Sequence, residues 1–466
     1  MSLPRSSPTE QQVDARALLR VLDALEAHPD IEMHSLMVVR HGHVVAEGWW
    51  APYSPQRPHL LYSVSKSFTM TAALLAQAEG VLGLGDTVLS HFPELDAEVT
   101  DLRSRATTFE DLAAMASGHD RDLGDLIDHH RDEPVRALLV TPPDGEPGKL
   151  FAYNQLCTYS LAAAVQRRSG QRLTEYLRPR LFDPLGIGPV GWQSFPEGRE
   201  IGFSGLHART EDIARLGQLY LQRGRWEDQQ LLPEDLVAEA TRKHVENAPQ
   251  GSVDWEQGYG WQFWMSQHGY RGDGAFGQFC IVLPEHDVVV ATTARTEAMQ
   301  EVLDVFWTHL LPGLSASSVP PDEAAEAELA SRLTGLALPP CPGSAGPSGS
   351  WSLPVAPAEK VPLESVELST TDGMTLTLVE ARDRVSFPVG PAQWAVSEPT
   401  DAAGSPVPVA ASGGWAGEGT FRAAVVFLET PHRLDVTCVP EQGRAEATWR
   451  LAPLGNPALA HLRCPR

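Results

Sequence analysis

Leu61-Tyr62-Ser63-Val64-Ser65-Lys66-Ser67-Phe68-Thr69 opens a run to Ala78 that is apolar on nearly every face and stops at Gly80. Such a run predicts a helix buried on all sides, the central helix of its domain. Ser63 and Lys66, three apart at the helix entrance, share a face and are within reach of each other. A serine hydroxyl is a weak nucleophile until a nearby base accepts its proton, and a lysine whose pKa is lowered by burial can be that base. The helix N-terminus adds N–H donors and a positive dipole end for the negative charge that develops. Ser-x-x-Lys alone is a common pattern, and its bland reading is a serine cap with a solvated lysine one turn on. The apolar surroundings of Lys66 weigh against that reading, because a lysine on a helix buried all round needs a reason.

Working outward, Ser35–Val39 and Val44–Trp49 flank Arg40-His41-Gly42-His43 and read as two strands around a tight turn. Apolar positions from Glu10 to Ala27 recur at helical spacing. Val81 to about Glu200 is densely punctuated by Gly, Pro and Asp, a mostly helical insert with one helix from Leu156 to Arg168. Glu211–Gln222 is amphipathic, and Gln278–Leu283 and Val288–Thr293 form two strands around Pro284-Glu285-His286-Asp287, ahead of a helix from Glu297 to Leu311. The sheet draws strands from both ends of the domain, so the expected class is α+β, an antiparallel sheet flanked by helices.

The chain has 466 residues, more than one core usually organises. The expected division is a catalytic domain over residues 1–314, a linker over 315–350 and a small β-rich domain over 351–466. The linker reading rests on an acidic, alanine-rich stretch followed by Pro339-Pro340-Cys341-Pro342-Gly343-Ser344. Beyond it, Val366–Leu378 alternates around Asp372-Gly373, and Phe421–Leu428 and Leu434–Val439 add strands.

A formal charge of −24 argues against nucleic acid and anionic membrane surfaces as partners. Met1–Gln12 lacks the basic start and apolar run of a secretory signal, and no stretch has the apolar length to cross a bilayer. The five cysteines, Cys157, Cys280, Cys341, Cys438 and Cys464, lack metal-ligand spacing and read as free thiols. A cytoplasmic protein without an obligate protein partner is the expectation. His119, Asp120, His129 and His130 match no common zinc pattern and read as a solvated acidic loop. No Gly-x-Ser-x-Gly elbow is present.

Two further segments carry chemistry. Glu146-Pro147-Gly148-Lys149-Leu150-Phe151-Ala152-Tyr153-Asn154-Gln155 offers a tyrosine that can carry a proton to a leaving group if Lys66 is its neighbour. Gly272-Asp273-Gly274-Ala275-Phe276-Gly277-Gln278 enters a strand, and its glycines let a substrate lie against the strand edge with N–H groups free as oxyanion donors. Singly, Tyr153 reads as a core aromatic and the glycine segment as an ordinary loop.

In this order, the three segments resemble the serine β-lactamase and penicillin-binding protein superfamily over roughly Ala15 to Leu314. Met115-Ala116-Ser117-Gly118-His119, Leu185-Gly186-Ile187, Arg209-Thr210-Glu211-Asp212-Ile213-Ala214 and Gly258-Tyr259-Gly260-Trp261 look similar too. The resemblance implies a β-lactamase/transpeptidase-like fold without metal or cofactor. It makes Ser63 the acylated residue, Lys66 its base and Tyr153 a second acid/base. The backbone N–H groups of Ser63 and Ala275 would form the oxyanion hole, and Asn154, Gln155, Gly272, Asp273 and Gly274 would contact substrate.

Two departures bear on what is cleaved. The family's Tyr-x-Asn stands here as Tyr153-Asn154-Gln155, so Gln155 takes over the amide contact. The Lys or His that usually starts the third motif is replaced by Gly272, which removes a cation for a substrate carboxylate unless Arg271 substitutes. The Gly-x-x-Gly-Gln form resembles the esterases and small-amide hydrolases of the superfamily, so hydrolysis of carboxylic esters or small amides is the expected activity. The alternatives are acyl transfer from the same acyl-serine, β-lactamase or D-amino peptidase action, and an inactive ligand-binding module.

Overall fold

Alternation along the strands sets the architecture. The computed structural model describes residues 2–247, 249–315, 319–417 and 419–465. Helix α1 (Ala15–Ala27), capped by the Asp14 carboxylate, precedes β1 (Glu32–Arg40) and β2 (His43–Trp49). A single turn, Tyr62–Val64, then leads into α2 (Ser65–Ala78), followed by α3 (Gln155–Ser169) and α4 (Thr210–Leu221). Strands β3 (Trp264–Met265), β4 (Tyr270–Gly274), β5 (Gln278–Leu283) and β6 (Val288–Arg295) complete an antiparallel sheet of order β2-β1-β6-β5-β4-β3.

Both faces of this sheet are covered, so its central strands send apolar residues to both sides. Met37, Val39, Cys280, Val282 and Val289 point into the core that holds α2, α3 and α4. Their neighbours Leu36, Val38, Phe279, Ile281 and Val290 point the other way, into the core shared with α1. Helix α4 lies close on the sheet, because a Cβ at Gly217 would stand 2.6 Å from Val289 Cγ1. Helix α2 is enclosed as expected, with Phe68, Met70 and Leu74 inaccessible to solvent. The helix expected over Glu297–Leu311 runs as Met299–Val305 and continues through a wider turn, Phe306–Leu310.

The stretch read as a linker, 315–350, contains helix α5 (Glu323–Thr334), and positions 316–318 of it lie outside the described residues. Ala, Glu and Leu favour helix, and Ala325 and Leu329 bury into the core of α1 while Arg332 pairs with Asp23 and Glu26.

Past it, β7 (Ser350–Pro354), β8 (Ser365–Ser369), β9 (Thr375–Val379) and β10 (Arg384–Pro388) form one sheet. A second is built around β11 (Val409–Trp415), β12 (Phe421–Phe427), β13 (Arg433–Val439) and β14 (Arg444–Trp449). Leu368, Leu378 and Phe387 meet Val409, Val425 and Val436 in a core between the two. The outer face of β11 and β12 puts Ala410 and Val426 into the core of α1, so the C-terminal strands pack directly on the first sheet's layer. Among the described residues no helix is long and apolar enough to cross a membrane.

Candidate active site

Ser63 occupies the turn ahead of α2, and Lys66 lies in the first turn of that helix with 1% of its surface exposed. Lys66 Nζ stands 3.1 Å from Ser63 Oγ, 2.7 Å from Gln155 Oε1 and 2.8 Å from the Phe203 carbonyl oxygen. The last two are acceptors only, so each takes an N–H of the lysine. A neutral amine has two N–H groups and one lone pair. With both N–H groups committed, the lone pair is left facing the serine hydroxyl.

The electrostatics favour that neutral form. Burial pushes the Lys66 amine down to about 7, with Asp122 and Asp273 opposing the shift. A displacement of that size is on the order of 5 kcal/mol against the ammonium, enough to leave free amine available near neutrality.

Tyr153 lies in the loop before α3, and Lys66 Nζ is 4.8 Å from its ring centroid. The ring packs against Trp264 at 5.1 Å and Tyr259 at 6.1 Å. Burial raises its phenol well above the usual range, with a smaller opposing pull from the Ser63 hydroxyl. Ser63, Lys66, Tyr153 and Gln155 are therefore brought together.

Asn154 is not part of this group, which corrects its expected substrate contact. It is buried, and its Oδ1 caps α3 by accepting from Leu156 N at 3.0 Å while also accepting from Leu123 N at 3.2 Å. One residue on, Gln155 reaches the lysine and lines the cavity.

The end of β4 lies backbone-to-backbone on the helix entrance. A Cβ at Gly274 would stand 2.3 Å from the Leu61 carbonyl oxygen, and one at Gly272 would stand 2.8 Å from Ser67 Oγ. Only glycine allows this approach. Ala275 follows directly, and the Gln278 amide holds its carbonyl at 3.0 Å and that of Ala294 at 2.8 Å, a structural use for the glutamine of the Gly-x-x-Gly-Gln pattern.

Arg271 and Asp273 correct the sequence expectation in the same way. Strand alternation turns both side chains to the face opposite Gly272 and Gly274, where they are buried and bonded to each other at 3.0 Å. Arg271 also donates to the Asp254 carbonyl at 3.0 Å and lies 4.3 Å over the Trp255 ring. Neither lines the cavity beside Ser63.

His119, expected in a solvated loop, is buried, with Nδ1 3.0 Å from Ser117 Oγ and Nε2 3.0 Å from the Thr141 carbonyl. Among the described residues no group of three or more His, Cys, Asp or Glu is arranged to hold a metal.

A cavity of about 570 Å³ opens beside Ser63. Gln155, Ile201 and Phe203 line one part of it, and His432, Leu454 and Leu462 from the C-terminal region line another. These last three, and the Phe203 carbonyl, are absent from the sequence reading. Phe203-Ser204 had one signal, the flanking Gly202 and Gly205, which take φ of 70° and 83°. The C-terminal contributors had none.

The β-lactamase family model matches residues 20–306. A 6-aminohexanoate-dimer hydrolase of Paenarthrobacter ureafaciens is 27% identical over 300 residues, which are 58% of this chain and 76% of that protein. Among solved structures, EstCE1, a hydrolase with promiscuous acyltransferase activity, superimposes with a TM-score of 0.53 at 17% identity, over 65% of this chain and 100% of its own. The structure of SurE gives a TM-score of 0.51 at 17% identity and covers 86% of this chain and 94% of its own, a share that extends into the C-terminal strands. At these identities the structural likeness concerns the fold.

Proposed function

The chain belongs to the β-lactamase family of serine hydrolases, and from that premise we propose that it cleaves carboxylic esters or small amides through an acyl-enzyme on Ser63. Ser63 Oγ attacks the substrate carbonyl as its proton passes to Lys66 Nζ. The tetrahedral oxyanion is held by the backbone N–H groups of Ser63 and Ala275. Collapse breaks the carbonyl bond to the leaving oxygen or nitrogen, which takes a proton relayed through Tyr153, and water activated by the same amine then releases the acid.

The observation that carries this reading is the set of contacts of Lys66 Nζ, in which Gln155 and Phe203 supply acceptors for both N–H groups of a neutral amine and Ser63 Oγ stands third at 3.1 Å, open to its lone pair. The substrate class rests on charge. Among the described residues that line the cavity there is no Lys or Arg, whereas Asp122 and Asp128 both face it. Arg271 lies outside this lining, bonded to Asp273 and the Asp254 carbonyl. A substrate carboxylate therefore lacks an anchor, which favours uncharged esters and amides over β-lactams and carboxylate-terminated peptides.

The test is intact-mass analysis after a fluorophosphonate, with the adduct mapped by peptide, beside turnover of p-nitrophenyl butyrate and a β-lactam. The expected result is one adduct on Ser63 and ester turnover well above β-lactam turnover. An adduct at another residue, or ester turnover that survives Ser63→Ala, would overturn the proposal.

A further inference from the structure

We propose that His432, in the C-terminal sheet, is a positioning residue that sets the oxyanion hole, holding Tyr62 and Phe276, the residues beside Ser63 and Ala275. The inference rests on the acyl-serine reading above.

Tyr62 and Phe276 share an unusual backbone. Their φ angles are 47° and 68°, in the left-handed region that bulky residues rarely adopt. Such conformations persist only where the surroundings over-determine them. Tyr62 immediately precedes Ser63, so its torsions aim the Ser63 N–H, and Phe276 immediately follows Ala275, so its fixed ring anchors the turn that carries the Ala275 N–H. The rings of Tyr62 and Phe276 meet edge to face at 5.4 Å, and His432 closes the triangle at 5.9 Å from each.

One strong bond ties this triangle to the C-terminal sheet. The Tyr62 hydroxyl lies 2.6 Å from His432 Nε2. His432 Nδ1 is 3.1 Å from the Leu451 carbonyl oxygen, an acceptor, so Nδ1 carries the proton and Nε2 is left to accept from Tyr62. The imidazole is 1% exposed, and burial pushes its pKa down to about 4, which keeps it in this neutral tautomer.

The turn that carries His432, between β12 and β13, is itself fixed to the catalytic layer. Leu60 N donates to the Glu429 carbonyl at 2.8 Å, and the Tyr53 hydroxyl donates to the Thr430 carbonyl at 3.1 Å. His432 N is bonded to Thr430 Oγ1 at 3.2 Å, and Trp449 backs the ring at 6.1 Å. A rigid turn, a defined tautomer and a short bond together make a strut from the C-terminal sheet to the nucleophile turn.

The experiment is a cycle of Tyr62→Phe, His432→Phe and the double variant in the full chain, assayed with p-nitrophenyl butyrate and normalised by fluorophosphonate active-site titration. Each single change keeps a ring in place and removes the bond. The expected result is a kcat loss of about tenfold to a hundredfold in each single variant, with KM within about twofold and no further loss in the double. Affinity for phenylboronic acid, whose tetrahedral adduct needs the same two N–H donors, should fall by the same factor. Wild-type kcat and boronate affinity per titrated site in both single variants would overturn the proposal, as would additive losses in the double, even where thermal stability is reduced. Ser63→Ala separates the two readings. If it retains turnover, the acyl-serine assignment fails. If it is inactive while both single variants match wild type, only the His432 inference fails.

Discussion

The floor and the roof of the cavity come from distant parts of the chain and are held by different means. The floor is the entrance of α2, where Tyr62 and Ser63 line the cavity, Lys66 is buried behind them and Gly274 of β4 comes into backbone contact from the far side. The roof includes the loop 453–456, where Leu454 is 58% exposed. Two buried basic side chains, Lys66 and Arg271 of β4, differ as well. Arg271 has the Asp273 carboxylate at 3.0 Å and keeps its charge within that pair, whereas Lys66 bonds only to a hydroxyl, an amide and a carbonyl. Pairing makes the first a structural element. Lack of pairing suits the second to the role of base proposed for it.

This contrast can be broken or sharpened by five measurements. Ser63→Ala should lower kcat/KM for p-nitrophenyl butyrate by roughly 10⁴-fold or more while leaving the melting temperature within a few degrees. Lys66→Met should cost roughly 10²- to 10⁴-fold, since it removes the proton acceptor but fills the same apolar space. In the wild type, the same base imposes a pH profile. Only the free amine is competent, its population falls tenfold per unit below its pKa, and kcat/KM should therefore decline on the acid side of about pH 7 and level off above it. A rate flat from pH 5 to 8 would remove Lys66 from the role.

Smaller effects belong to the periphery. Leu454→Ala should shift the preference between long and short acyl esters by about threefold to tenfold while leaving the acetate ester unchanged. Asn154→Ala should lower unfolding free energy by about 1 kcal/mol, the worth of a helix cap, without changing KM. A raised KM would return Asn154 to the substrate.

Much of the floor was legible because its signals are local. Ser63 and Lys66 are three residues apart on a helix whose composition already implied burial, and Tyr153 to Gln155 form one short segment. The pairing of β5 with β6 followed from two apolar runs around a turn. Whether Arg271 could replace the missing cation is decided by strand periodicity, since Gly272 pairs with Cys280 on the α2 side and Asp273 with Phe279 on the other. α5 was misread because an alanine-rich acidic stretch has the composition of both a helix and a tether. The roof could not be read at all, because Tyr62 and His432 are separated by 370 residues and no periodicity links them.

The loop 453–456 has one further consequence. It borders the opening over Ser63, yet the Lys66 amine makes its bonds to Ser63, Gln155 and Phe203 without it. Insertions or exchanges in that loop can redraw which molecules are admitted while the bond-breaking groups stay where they are. On the proposed acyl-serine function, appetite and reactivity are encoded on separable stretches, and diversification within such a scaffold can proceed by remodelling a rim.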